Sequence, residues 1–280
     1  MKKTGVEVID RFSDSQILDG KSELTARTYA YTLTKLHEWL LTIGGDINDL
    51  TRHDVQTYMN HLSDSGMAAS SITKTYAAIS VFARFINRPK VMENIRKVEY
   101  RKQRNVAPKS LDRNAVHKLL RDVEHSANLR NSAIVHVLLH TGLRVSELCA
   151  LDREDIDMSE RKGGVTIRHG KGNVSRTVPL SADTRHHVQK YLAMRDDHAA
   201  ALFLSNERKR ISVRAVQHML KKYGIHPHTL RHTFCRDLVQ NGVEISTVAE
   251  LAGHADINVT RRYSKPSHED LQKAIERAFS

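Results

Sequence analysis

His228-Thr229-Leu230-Arg231-His232 is followed by Leu251-Ala252-Gly253-His254 and, nine residues after His254, by Tyr263. On a helix starting near Pro227, Leu230, Phe234 and Leu238 recur every four residues and form an apolar face. His228 and Arg231, three apart, share a different face, so this polar pair can point into a cleft while its neighbours anchor the helix. Upstream, Arg144 sits in Thr141-Gly142-Leu143-Arg144-Val145-Ser146-Glu147-Leu148, which begins a short helix after a glycine stop. Lys171 sits between glycines in His169-Gly170-Lys171-Gly172-Asn173. Gly164–Arg168 and Val174–Leu180 read as two antiparallel strands joined by that turn, with Pro179 placing the second at an edge or at its end.

Helical signals surround the hairpin. Asp112 opens a helix carrying Val116, Leu119, Leu120 and Val123. The next, about 132–140, is almost wholly apolar and reads as central, and residues 151–157 read as a loop. Further helices are expected at about 183–196, 213–223, 227–240, 246–252, 258–263 and 267–279. Toward the N-terminus, Val6, Ile9, Phe12 and Ile17 mark a short helix. Ala26, Ala30, Leu33, Leu36, Leu40 and Ile43 mark a long one, stopped by Gly44-Gly45. A third starts at Thr51, with Asp54 imitating a capping box and Val55, Tyr58, Met59 and Leu62 as its stripe. A fourth spans about 70–87 and stops before Pro89. The fold class expected is mainly α: an N-terminal four-helix bundle over residues 1–96, a basic extended linker over 97–109, and an α-rich domain with a small antiparallel sheet over 110–280.

The 280 residues carry 44 Lys and Arg against 32 Asp and Glu, a net charge of +12. Neutralising phosphates releases counterions, so this excess suits a nucleic acid. Apolar content of 40% and charged content of 27% suit a soluble globular chain. No apolar run nears the roughly 20 residues of a membrane span. No secretory signal is read at Met1-Lys2-Lys3, so a cytoplasmic, nucleoid-associated protein is expected. Cys149 and Cys235 match no disulfide or metal spacing and read as buried thiols.

Two arginines, a lysine, two histidines and a tyrosine suit one task, breaking a phosphodiester without water. That reaction needs a nucleophile, a clamp for the charged phosphorus centre, and a proton for the departing oxygen. An arginine fork bonds two phosphate oxygens and stays charged. Lysine or histidine supplies the proton, and a tyrosine oxygen preserves the energy of the broken bond in a phosphotyrosine.

Taken in order, these boxes and the helical N-terminus resemble the tyrosine recombinase (phage integrase) family, over nearly the whole chain. The compact size and short bundle look most like its Xer-type and transposon-resolution members. The usual Leu-Gly-His reads Leu251-Ala252-Gly253-His254 here, with the step to Tyr263 intact. The resemblance implies that Tyr263 attacks the scissile phosphate, forming a 3′-phosphotyrosyl bond and freeing a 5′ hydroxyl. Arg144 and Arg231 would clamp the non-bridging oxygens, and Lys171 would protonate the leaving oxygen, with Arg168, Lys162 and Arg176 as basic alternatives near the same turn. His228 would assist proton transfer at the tyrosine, His254 would donate to a phosphate oxygen, and Glu147 would orient and balance the site. His232 reads as structural. No metal or other cofactor is implied. The implied partners are duplex DNA and a homo-tetramer on two sites working through a Holliday junction, with an accessory DNA-binding protein possible and no membrane. The last helix, with Leu271, Ala274, Ile275 and Phe279, is expected to pack into a neighbouring protomer. Lys74, Arg101, Lys102, Arg104, Arg208, Lys209, Arg210 and Arg214 are DNA-contact candidates because they are basic and expected to be exposed.

Three rivals remain. His226, His228 and His232 invite a metal-hydrolase reading, but no His-Glu-x-x-His pattern accompanies them and Pro227 interrupts them. A non-catalytic regulator could use Ile211–Tyr223 in a helix-turn-helix, yet needs no phosphate-clamping set. A type IB topoisomerase shares the chemistry without pairing sites, and the compact N-terminal bundle favours the recombinase over it.

Overall fold

The computed structural model describes residues 3–96, 109–168, 175–254, 256–263, 272, 275, 276 and 279. The chain divides into two compact units, Met1–Arg104 and Asn105–Ser280.

The first unit is built from α1 (Glu7–Leu18), α2 (Glu23–Thr42), α3 (Arg52–Asp64) and α4 (Ala69–Phe85). Local chemistry sets the starts. The Ser22 hydroxyl accepts from the Thr25 N–H at α2, and Thr51 and Asp54 complete the expected capping box at α3. The stripes read from the sequence meet inside: Ile9, Phe12, Leu33, Leu36, Leu40, Val55, Ile79 and Phe82 are fully buried. Phe12 packs edge-on to Phe82 at 5.4 Å between centroids. Ile43 and Ile17, assigned to the stripes, lie past their helices' inward faces and are partly exposed.

The second unit centres on α6 (Leu129–Thr141), which is buried on nearly every side from Ser132 to Leu139, as the largely apolar sequence there requires. Around it pack α5 (Arg113–His125), α8 (Ala182–Ala193) and α10 (Pro227–Gln240). The remaining helices are α7 (Val145–Ala150), α9 (Val213–Lys221), α11 (Ile245–Ala252) and the single turn α12 (Ile257–Thr260), which a 3-10 turn extends to Tyr263. The sheet holds three antiparallel strands in the order β1 (Ile156–Met158), β2 (Gly163–Ile167), β3 (Arg176–Pro179). Pro179 thus lies on an edge strand, as its missing N–H demands.

One expectation fails here. The stretch 151–157, read as a loop, ends in β1, where Ile156 pairs with Val165. Three residues, Ile-Asp-Met, are too few to show an alternating pattern, and pairing with β2 makes them a strand. Cys149 and Cys235 are buried and free, as read. No helix among the described residues is long and apolar enough to cross a membrane. The linker residues 97–108 lie outside the described residues, as does most of the stretch 267–279 expected to form the last helix.

Candidate active site

The site forms where α6 stops. Gly142 caps that helix at φ 62°, and a Cβ there would lie 2.3 Å from the Phe234 ring on α10. Only glycine reconciles the left-handed turn with that approach. Gly142→Ala is expected to destabilise the protein by roughly 2–4 kcal/mol, from backbone strain plus the clash. Chemical denaturation of the two proteins checks this.

The turn aims two arginines. Arg231, buried on α10, donates from Nη1 to the Gly142 carbonyl at 2.6 Å. Its Nη2 is buried and meets no acceptor. Burial, then the nearby Arg144 charge, pulls its pKa down to about 10, so it stays a cation at neutral pH. Arg144 precedes α7 and donates from Nη1 to Glu147 Oε1 at 2.7 Å and from Nη2 to the Gly253 carbonyl at 2.9 Å.

Glu147 is buried and holds this end of the site together. It accepts from the Arg144 backbone N–H at 2.8 Å and from Arg176 Nη2 at 2.8 Å and Nη1 at 3.2 Å. Burial alone would raise its pKa. The hydrogen bonds from Arg176 and from the Arg144 N–H more than offset that and hold the carboxyl below its usual range. Arg176, at the start of β3, also donates from Nε to the Leu251 carbonyl at 3.1 Å, tying the sheet to α11. Arg144, Arg176 and Arg231 thus face one carboxylate, which leaves the site cationic and suited to an anionic phosphodiester.

His254 follows the left-handed cap Gly253, and its Nδ1 hydrogen-bonds the Thr260 hydroxyl at 2.8 Å. Tyr263 packs against Phe234, Cys235, Val248 and Ala252, and its hydroxyl hydrogen-bonds His232 Nδ1. Burial, then Cys235, raises the phenol pKa far above its normal value, so the resting tyrosine is neutral. His228 lies one turn before His232, at 6.3 Å between ring centroids, and its pKa is lowered by burial and then by His226, Arg231 and Arg144.

His232 and His254 are each pushed down to about 4, first by burial and then by neighbouring positive groups. An unfolded histidine titrates near 6.5, so between those values the unfolded chain holds more protons. Stability from these residues is therefore intact above about pH 6.5 and is lost as pH falls toward about 4. Melting temperatures measured across that window should fall steeply, and His254→Gln should flatten the fall.

Arg231 is thus close enough to act electrostatically on His228, His254 and Tyr263, and Arg144 on Arg231, His228 and His254. Lys171 lies outside the described residues; the strands flanking it pair in register, Ile167 opposite Arg176. Two side chains beside these residues were given other readings from sequence. His232, read as structural, holds the tyrosine oxygen, and Arg176 completes the carboxylate cage. His226, His228 and His232 form no metal-ligand group among the described residues.

The DNA-contact candidates divide. Lys74 and Arg214 are exposed, and Arg101, Lys102 and Arg104 lie outside the described residues. Arg208 pairs with Asp196 at 3.1 Å and Lys209 with Glu207 at 3.6 Å. Arg210 is a structural tie rather than a free cation. It bonds Asp152 at 2.5 Å and donates to the Ala150 and Leu151 carbonyls at 2.9 and 3.0 Å.

Comparison with known proteins adds the following. The Phage integrase family signature matches residues 109–270, and the N-terminal SAM-like domain of phage integrases matches residues 9–90. Tyrosine recombinase XerA of Thermococcus kodakarensis is 34% identical, covering 97% of this chain and 95% of its own. Tyrosine recombinase XerC of Pediococcus pentosaceus is 30% identical, covering 92% of each. Among solved structures, the Tn1549 transposon integrase with circular intermediate DNA superposes with a TM-score of 0.73 at 18% identity, over 97% of this chain and 99% of that one. XerH bound to its difH substrate superposes at 0.70 and 20% identity, over 91% and 79%.

Proposed function

The chain belongs to the phage integrase family and is a tyrosine-type site-specific recombinase, and from that premise we propose that it cuts and rejoins duplex DNA through Tyr263. The observation that carries the reading is Arg231. A guanidinium is buried with one nitrogen unpartnered, beside Arg144 and beside a tyrosine whose oxygen is held by a histidine. Burying a cation without a carboxylate of its own is costly, and a phosphate oxygen would repay it.

In the proposed reaction the Tyr263 oxygen attacks phosphorus, the bond to the 5′ oxygen breaks, and a 3′-phosphotyrosyl link forms. The phenol proton passes to a histidine. His232 is placed for this at Nδ1, and His228, one turn away, is placed to support it. In the resting protein burial, and then the neighbouring positive groups, make His232 a weak base. Negative charge arriving with the phosphate raises its basicity when the proton must move. Arg144 and Arg231 clamp the non-bridging oxygens, with His254 donating to one of them. Glu147 fixes Arg144, and Arg176 fixes Glu147. Lys171 protonates the 5′ oxygen. Attack by a 5′ hydroxyl on the phosphotyrosine reverses the steps and reseals the strand.

The two units take separate tasks in this reading. Residues 1–96 bind the core of the DNA site, 97–109 run as a basic linker, and 110–280 perform catalysis. DNA-bound structures of XerH, the Tn1549 integrase and lambda integrase support duplex DNA as the partner. Four protomers on two sites exchange strands in pairs through a Holliday junction, on the bacterial or archaeal nucleoid, with an accessory protein where the site demands it. Exposed Ile275 and Phe279 suit a contact between protomers near the C-terminus.

The test is a plasmid carrying two copies of a site taken from the protein's own genetic neighbourhood. Recombined circles and a junction-sized intermediate are expected. Relaxation without recombinants would favour the topoisomerase reading, and specific binding without either would favour a regulator.

A further inference from the structure

We propose that Glu124, His136 and His187 form a binding site for a divalent transition metal, zinc in particular, that fastens α5, α6 and α8 together. Among the described residues this is the one group of metal-ligating side chains whose ligand atoms all lie within 4.8 Å of one another. His136 Nε2 is 3.8 Å and His187 Nε2 is 3.5 Å from the same carboxylate oxygen, Glu124 Oε1. Ligand bonds of about 2.0–2.2 Å in a tetrahedron separate donors by roughly 3.3–3.6 Å, close to both nitrogen–oxygen distances already present.

The His136 tautomer suits a metal. His136 Nδ1 faces the Ser132 carbonyl at 2.9 Å, and a carbonyl only accepts, so the ring proton sits on Nδ1 and the Nε2 lone pair is free. His187 Nδ1 hydrogen-bonds the Ser132 hydroxyl at 2.9 Å. One residue thus orients both rings from behind, as outer partners of metal-bound histidines do. The rings stack at 3.7 Å between centroids. The unprotonated His136 Nε2 therefore faces a carboxylate oxygen, and a shared cation removes the repulsion between them.

The site is open on one side. A cavity of about 290 Å³, lined by Glu124, Ser132, His186, His187 and Lys190, leaves room for water as a fourth ligand. Lys190 opposes a cation there, and its flexible stem lets the ammonium remain in solvent. Asp183 adds negative charge nearby. The chemistry points to a structural role. His136 lies six residues before Gly142, about 9 Å along α6. The same helix therefore carries the metal ligand and the carbonyl that seats Arg231.

The test uses the full chain without an affinity tag, stripped of metal by a chelator. Addition of zinc should raise the melting temperature by several degrees and leave one tightly bound equivalent after desalting, and cobalt(II) should give tetrahedral visible bands. Glu124→Gln and His187→Gln, at positions with surface access, should each weaken that binding by more than the ~10–100-fold typical of losing an outer-shell partner. Each should also abolish the thermal response while melting like the metal-free wild type. Equal uptake and equal thermal shifts in wild type and both variants would overturn the proposal, assigning the metal to other histidines among the 17. The absence of any bound metal or cobalt bands in the wild type would overturn it as well.

Discussion

Tyr263→Phe is expected to lower DNA strand transfer by roughly 10⁴–10⁶-fold, the scale seen when an enzyme's nucleophile is removed. No covalent protein–DNA adduct should form. Phenylalanine keeps the ring that packs against Phe234, Cys235, Val248 and Ala252, so the local core survives. What it loses is the hydroxyl and its hydrogen bond with His232, at a cost to stability of about 1 kcal/mol. Site-specific binding, read by gel shift, should therefore stay within a few-fold of wild type. That separation of binding from chemistry distinguishes a nucleophile from a packing tyrosine. Had the residue been structural, both readouts would fall together with the melting temperature.

Arg231→Lys is expected to slow cleavage by about 10³–10⁵-fold, the contribution of an arginine that clamps phosphoryl charge in the transition state. The substitution keeps a positive charge but loses the fork. Wild-type Arg231 spends one nitrogen on the Gly142 carbonyl and leaves another unpartnered. A lysine ammonium is a point donor on a flexible stem and cannot hold both directions at once. Single-turnover cleavage of a nicked substrate reads the rate, and gel shift reads affinity, which should change far less. Arg231→Ala is the less informative variant, because it also leaves the buried Gly142 carbonyl unpaired and opens a cavity.

The helices of both units were legible because their apolar residues recur at the helical period and their starts carry caps such as Ser22, Thr51 and Asp112. β1 was not, since it is a strand only by pairing with β2. In the site, Arg144 and Glu147 are three residues apart on one helical turn, so their pairing could be read locally. Arg176 joins Glu147 from 29 residues away across the fold, and no local pattern announces it. His232 shows the same limit: its neighbours in sequence suggest a helix-packing histidine, while its partner, Tyr263, lies 31 residues on. Arg210 is the converse. A run of basic residues reads as a DNA-facing patch, but only the fold reveals the carbonyls that occupy its guanidinium. Glu124, His136 and His187 come from three helices at spacings that match no metal motif, so no local pattern groups them.

The central claim is that Tyr263 forms the covalent link, and the direct measurement is to trap and map it. A nicked substrate that loses a short 5′-hydroxyl fragment on cleavage should leave the protein bound to DNA in an SDS-resistant adduct. Proteolysis and mass spectrometry should then place the nucleotide on the peptide containing Tyr263, attached through a 3′ phosphate. A nucleotide on any other residue, or a 5′-phosphate linkage, would contradict the account.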